Sequence, residues 1–317
     1  MKIATVTVNP ALDQTVSVDN FTAGAVNRSR AIRFDAGGKG VNVASFLADY
    51  GLDVAVTGFL GEENASIFEH HFSRKGIEDR FIRLPGETRI NIKIMDEVNQ
   101  QTTDVNAPGQ IPGEYAIENF YKQIETLAET CEWFVLSGNI QPGLSPTFYA
   151  DLIRFLKTKN CKVALDTSGE ALTEGLKASP CLVKPNASEL SALIGKELSD
   201  TNAIHQAARS LLNDDVKIAV ISMGKDGAVF CDQTSSFVAV PPSVAVKSTV
   251  GAGDAMVAGL VAGLTRKMPL EDCARLATAF SVSAVTRLGR DLPRSEEIEA
   301  FRSQVKIVPL GISQPQG

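Results

Sequence analysis

Short apolar runs rich in β-branched residues alternate with stretches of helical periodicity along most of this chain, and that alternation limits its fold more than any other feature. Strand patterns fall at 3–8, 54–58, 133–137, 162–166, 181–184 and 217–222. Helical patterns lie between them. Residues 41–50 end at Gly51, and 114–130 carries Ile117, Phe120, Tyr121, Ile124 and Leu127 at helical spacing. Residues 146–158 open with Pro146, which suits a first helical turn. Such alternation predicts an α/β fold, a central mostly parallel sheet flanked by helices, with ligands at the carboxyl ends of the strands.

Two stretches, 13–35 and 88–106, lack helical periodicity and read as β-hairpin arms. The alternation in Arg89-Ile90-Asn91-Ile92-Lys93-Ile94 is strict, so a strand puts the isoleucines on one face and Arg89, Asn91 and Lys93 on the other. We expect these arms to form a small β-sheet lid over an α/β domain made of residues 1–12, 36–87 and 107–317. The apolar face of the lid needs a cover, and a second copy of the chain is the simplest candidate, giving a homodimer. The competing expectation is that the isoleucines pack on the parent domain.

With 317 residues, 44% hydrophobic and 21% charged, the chain has the composition of an ordinary globular protein. No apolar run approaches the roughly 20 residues of a membrane span. The opening Met1-Lys2-Ile3-Ala4-Thr5-Val6 reads as a first strand rather than a leader, which favours a cytoplasmic location without a membrane partner. A net charge of −6 argues against nucleic acid as a partner. Five scattered cysteines with no C-x-x-C pair argue against a disulfide framework and a zinc site.

The chemistry concentrates in a few loops. In Ser248-Thr249-Val250-Gly251-Ala252-Gly253-Asp254, two glycines and a carboxylate precede a small, apolar helical segment. Free N–H groups at such a helix start bind anions. An aspartate there would repel an anion unless it had chemical work, and taking a proton from an attacking hydroxyl during phosphoryl transfer is such work. Gly37-Gly38-Lys39-Gly40-Val41-Asn42 opens the helix at 41–50, with more glycine than a tight turn requires. Arg28, Arg30, Arg33, Lys39, Arg89 and Lys93 cluster on the arms and the adjoining loop, against the acidic trend, and so suggest an anionic substrate. Asp13 reads equally as a sugar-hydroxyl ligand or a turn residue. Lys184-Pro185-Asn186-Ala187-Ser188-Glu189 follows a strand pattern and fits either a helix capping box or a role near a Mg²⁺-nucleotide. Ser222-Met223-Gly224-Lys225-Asp226-Gly227 is a hairpin turn or a nucleotide border. Neither G-x-x-x-x-G-K-[ST] nor a G-x-G-x-x-G after the first strand is present.

Asn9-Pro10-Ala11-Leu12-Asp13, Gly37 to Asn42, Lys184-Pro185-Asn186 with Glu189, and Thr249 to Asp254, in this order, resemble the ribokinase-like carbohydrate kinases of the phosphofructokinase B group up to about residue 290. The resemblance implies a ribokinase-like fold whose β-sheet lid doubles as a dimer clasp. It implies ATP and Mg²⁺ as cofactors, with K⁺ a further candidate near the loop. It assigns the catalytic base to Asp254 and the anion hole to Gly251, Ala252 and Gly253. Sugar-phosphate contacts map to Asp13, Arg28, Gly37, Gly38, Lys39, Asn42, Arg89, Asn91, Lys93 and Ser137. Nucleotide contacts map to Lys184, Asn186, Ser222, Gly224, Gly227, Thr249 and the two loop glycines, and metal-related positions to Asn186 and Glu189. Asn139-Ile140-Gln141 departs from the serine, leucine and proline of many relatives. Residues 88–93 look most like the members that phosphorylate D-fructose 1-phosphate at its 6-hydroxyl, giving fructose 1,6-bisphosphate. Kinases of tagatose 6-phosphate and fructose 6-phosphate are the near alternatives. A non-catalytic sugar-phosphate sensor would not need Asp254, and a kinase of neutral sugars would not need a basic lid.

Overall fold

The computed structural model describes residues 2–287, 289 and 291–311. An eleven-stranded sheet forms its centre. From edge to edge it runs Lys306–Pro309, Ser236–Val240, Ala228–Cys231, Ile218–Ser222, Leu182–Val183, Lys162–Asp166, Cys131–Ser137, Lys2–Thr7, Asp53–Gly61 and Glu78–Asp79, with Ile82–Leu84 also pairing to Asp53–Gly61. Pairing is parallel from Ile218–Ser222 to Glu78–Asp79 and antiparallel across the other edge. Period-two burial explains the layers. Ile3, Val54, Val56, Trp133 and Val135 join one core, under the helices Lys39–Asp49, Ser66–Lys75, Ala252–Thr265 and Leu270–Val285. Their strand neighbours Ala4, Ala55, Phe134 and Leu136 join the other, under Glu114–Ala128, Phe148–Thr158 and Gly169–Lys177.

Some boundaries differ from the sequence reading. The helix expected at 41 starts at Lys39. Pro146 lies ahead of the helix Phe148–Thr158 rather than in its first turn, because a separate turn comes first: Phe148 N–H donates to the Ser145 carbonyl at 2.9 Å. The antiparallel strands Ala228–Cys231 and Ser236–Val240 were not expected from the alternation. All five cysteines are unpaired, and four are buried.

The helix Ala252–Thr265 is buried on nearly all sides, which accounts for its apolar, small-residue sequence. It packs on Leu270–Val285 at backbone distance: a Cβ on Gly259 would lie 2.7 Å from the Ala277 Cα. Glycine is required there for close approach.

A second, four-stranded sheet is built from Ser29–Gly37, Ala11–Val18, Ile90–Asp96 and Gln101–Val105, in that order. The two outer pairs are antiparallel, and Ala11–Val18 joins Ile90–Asp96 in parallel. Register puts Arg33, Thr15, Lys93 and Asp104 in one row, next to a row with Asp35, Asp13 and Asn91 on the same face. The opposite face carries Phe34, Gln14, Ile92 and Val105 in one row and Ile32, Val16 and Ile94 in another. Ile90 packs onto the parent core, whereas Ile32, Phe34, Ile92 and Val105 are exposed.

Asp96 ties the far end of this sheet. Its carboxylate accepts N–H groups of Asn20, Phe21, Val98 and Asn99 and the Asn99 side-chain amide. The Asn99 bonds, then those from Phe21 and Asn20, hold its pKa at about 2, below the ordinary 3.8, against the opposing effect of burial. A depressed carboxylate contributes stability that is complete above its unfolded value and lost as pH falls through the folded one. Hydrogen exchange at Asn20, Phe21, Val98 and Asn99 is therefore expected to accelerate as pH falls from 4 toward about 2, after correction for intrinsic exchange. Asp96→Ala should produce the same local acceleration at neutral pH, and unchanged protection would show that Asp96 is not the tie.

Candidate active site

Gly251 caps the helix Ala252–Thr265 with φ 82°, a left-handed conformation that glycine adopts at little cost. The turn starts the helix and places Asp254 in its first turn, 6% exposed. The helix Lys39–Asp49 packs against it. Asn42, in that helix's first turn, donates its Nδ2–H to Asp254 Oδ2 at 2.6 Å. Burial pushes the Asp254 pKa up, and the nearby Asp166 charge adds to this; the Asn42 bond, Lys39 and Lys184 act the other way, and the net shift is upward. An ordinary aspartate would have been ionised at neutral pH without tuning, but this one is made a stronger base by its surroundings.

Asp166 was not singled out from the sequence. It ends the strand Lys162–Asp166, is 2% exposed, and lies 3.3 Å from Lys184 Nζ and 3.5 Å from Lys39 Nζ through the same carboxylate oxygen. Neither of its oxygens accepts a hydrogen bond among the described residues. Burial works against the charge of Lys39, but Asp166, Asp254 and Glu189 outweigh it and raise the ammonium above its ordinary value. One usable signal existed: Asp166 is the last residue of a strand pattern, on the edge where ligands bind.

These groups line a cleft of about 910 Å³ with Asn186, Glu189, Ser222, Gly224, Gly227 and Thr249. A Cβ on Gly253 would sit 3.6 Å from Lys184 Nζ, so the bare glycine keeps space open between the loop and the ammonium. The Asn186 segment forms the capping box. Asn186 Oδ1 accepts the Glu189 N–H at 2.8 Å, Glu189 Oε2 accepts the Asn186 N–H at 2.8 Å, and the capping box so formed borders the cleft. Ser222 to Gly227 is likewise a hairpin turn that forms part of the cleft wall. Among the described residues no group of three or more His, Cys, Asp or Glu side chains is arranged to hold a metal.

A second cleft, about 400 Å³, lies between the polar face of the small sheet and residues 246–250. Asp13, Arg33, Lys93 and Thr249 line it, and Val246 and Thr249 border both clefts. Asn91 donates to Asp13 at 3.2 Å. Gly37 ends its strand beneath Asp13, whose Oδ2 would lie 2.6 Å from a Cβ at 37, and Gly38 caps the Lys39 helix. Arg89 is placed differently from the expectation of an anion-facing side chain. Its guanidinium donates to the carbonyls of Pro10, Ala107 and Asn9 at 3.1, 2.9 and 3.1 Å, rooting the small sheet, and burial lowers its pKa. Arg28 is exposed in the irregular segment before Ser29–Gly37. Arg30 pairs with Asp19 and Glu97, and Arg33 with Asp35. Ser137, at a strand end, is fully buried with its Oγ unpartnered among the described residues, and Asn139 accepts the Ser168 hydroxyl at 3.0 Å.

Residues 7–297 match the pfkB family carbohydrate kinase model. The chain is 46% identical to the 1-phosphofructokinase of Rhodobacter capsulatus over 311 residues, 98% of each protein. Its fold superimposes on phosphofructokinase-2 from Escherichia coli in complex with substrates and products with a TM-score of 0.91 at 27% identity, covering 96% of this chain and 99% of that one. A structure of the same Escherichia coli protein in complex with potassium gives a TM-score of 0.90 at 27% identity, covering 96% and 98%. With the family match spanning nearly the whole chain and the buried Asp254 and Asn42 facing each other across two helix starts, the chain belongs to the pfkB family of carbohydrate kinases.

Proposed function

We propose that this chain transfers the γ-phosphoryl group of ATP to the 6-hydroxyl of D-fructose 1-phosphate, forming fructose 1,6-bisphosphate and ADP. One observation carries the reading: a buried carboxylate with a raised pKa sits in the first turn of a glycine-capped helix, where a nucleotide-sized cleft meets a smaller, cation-bearing one. The Rhodobacter capsulatus relative, named 1-phosphofructokinase, supports the choice of acceptor.

Asp254 takes the hydroxyl proton as the acceptor oxygen attacks, and Asn42 holds the carboxylate in line. The N–H groups at Gly251, Ala252 and Gly253 stabilise charge on the transferring group, with Lys184 beside them. Asp166 holds the Lys39 and Lys184 ammonium groups at the cleft wall and favours the charged form of Lys39. Asp13 and Asn91 receive sugar hydroxyls, and the small sheet excludes water. Asp166 and Glu189 are hard oxygen donors suited to Mg²⁺, which keeps most of its waters and binds mainly through nucleotide phosphates. When bound, Mg²⁺ would offset charge on the nucleotide. The relative solved with potassium makes K⁺ a second candidate ion. Among the described residues no helix is long and apolar enough to cross a membrane, and we place the reaction in the cytoplasm.

ADP release measured across fructose 1-phosphate, fructose 6-phosphate, tagatose 6-phosphate, ribose and adenosine tests the acceptor. The highest kcat/KM is expected for fructose 1-phosphate, and absence of turnover with all five would overturn the kinase reading. Asp254→Asn should lower kcat by roughly 10²–10⁴-fold. It should also raise Tm, because a carboxylate with a raised folded pKa costs stability at neutral pH. Near-wild-type kcat would remove Asp254 as the base. Asn42 lowers the Asp254 pKa, so Asn42→Ala should move the acid limb of the kcat/KM profile to higher pH; a limb that stays in place would show that the bond does not tune the base.

We also propose that the exposed apolar face of the small sheet pairs with a second copy of the chain. Ile32, Phe34 and Val105 are 52%, 45% and 54% exposed on that face, which is more than isolated surface apolar residues explain. Phe34→Asp should convert a dimer to a monomer in sedimentation velocity, and a wild-type monomer at micromolar concentration would refute the pairing.

A further inference from the structure

We propose that Lys247 reads the phosphate the acceptor already carries, assisted by Lys93 from across the cleft. The inference rests on the sugar-phosphate kinase reading above and adds a specificity residue to it. Among the described residues, three cations line the smaller cleft: Arg33, Lys93 and Lys247. They are not equally available to an incoming anion. Arg33 Nε lies 2.7 Å from Asp35 and is neutralised. Lys93 Nζ lies 3.8 Å from Asp104, too far for a hydrogen bond, so it is held only loosely. Lys247 is exposed and has no carboxylate within ion-pair distance among the described residues.

The backbone beneath Lys247 is fixed. Its N–H donates to the Val285 carbonyl at 2.7 Å, and the Ser248 N–H donates to the same oxygen at 3.3 Å. The segment therefore rests on the end of the helix Leu270–Val285 before it turns into the Gly251 loop. Asp254 follows in that loop, with Val246 and Thr249 forming the border between the two clefts. A sugar whose reacting hydroxyl faces Asp254 must place its far end in the smaller cleft, between the small sheet and Lys247. A dianion there finds one cation already neutralised, one loosely paired and one unpaired. Its stable position is between the latter two, where charge-assisted bonds form without breaking a short ion pair. The arrangement rejects neutral sugars by leaving two lysines unsatisfied, a form of selection by charge rather than by shape.

Steady-state kinetics of Lys247→Met test this. KM for fructose 1-phosphate is expected to rise roughly tenfold to hundredfold, the range for losing a hydrogen bond to a charged group, with KM for ATP unchanged. The preference for fructose 1-phosphate over fructose should fall by the same factor, and Lys247→Arg should restore most of it. Asp104→Asn, which frees Lys93, should lower the acceptor KM. If the wild type turns over fructose 1-phosphate and Lys247→Met leaves its KM unchanged, or raises both KM values equally, this inference fails alone. If the wild type turns over no sugar phosphate, the proposed function fails and the inference falls with it.

Discussion

The structure turns on a single buried arrangement of charge. Asp254 and Asp166 share one water-poor pocket, and carboxylates so placed resist ionising together. Lys39 and Lys184 lie on one oxygen of Asp166, while Asn42 binds an oxygen of Asp254. Each carboxylate thereby has a different partner set. One lies against two ammonium groups, and the other has its pKa pushed up by burial and by the neighbouring carboxylate. Five residues from four separate parts of the chain must converge for this to happen, and the parallel sheet brings them together by ending its strands on one edge.

Much of this was legible beforehand. The apolar alternation located the central strands because each residue type on a buried strand answers to one of two cores, as Ile3 and Ala4 or Val54 and Ala55 show. The Gly251 loop was legible because its glycine and carboxylate are local requirements. Asp166 was not, because a lone aspartate at a strand end carries no spacing pattern; its meaning comes from lysines far away in the chain. The hairpin Ala228–Cys231 and Ser236–Val240 was missed for a related reason: short apolar runs fit several elements, and only pairing decides. Arg89 shows the opposite case. Strand alternation set it beside Asn91 and Lys93 on an anion-facing side, but the backbone carbonyls at positions 9, 10 and 107 take its donors.

The small sheet divides its work between its two ends and two faces. Arg89 roots it in the parent domain, and Asp96 binds its distal turns. One face presents aspartate and lysine to the smaller cleft, while the other leaves an apolar strip exposed. Strict period-two geometry is what allows one strand to serve both faces, since moving any side chain by one position would exchange them.

That sheet also has a consequence for the order in which the molecule assembles. Its central pairing joins Leu12 to Ile90 in parallel, across an intervening stretch that holds the helices Lys39–Asp49 and Ser66–Lys75. The facing wall of the smaller cleft comes from residues 246–250, far along the chain. Contacts this distant in sequence form late, because loop closure must precede them. The smaller cleft is therefore complete only once residues 246–250 have met the small sheet.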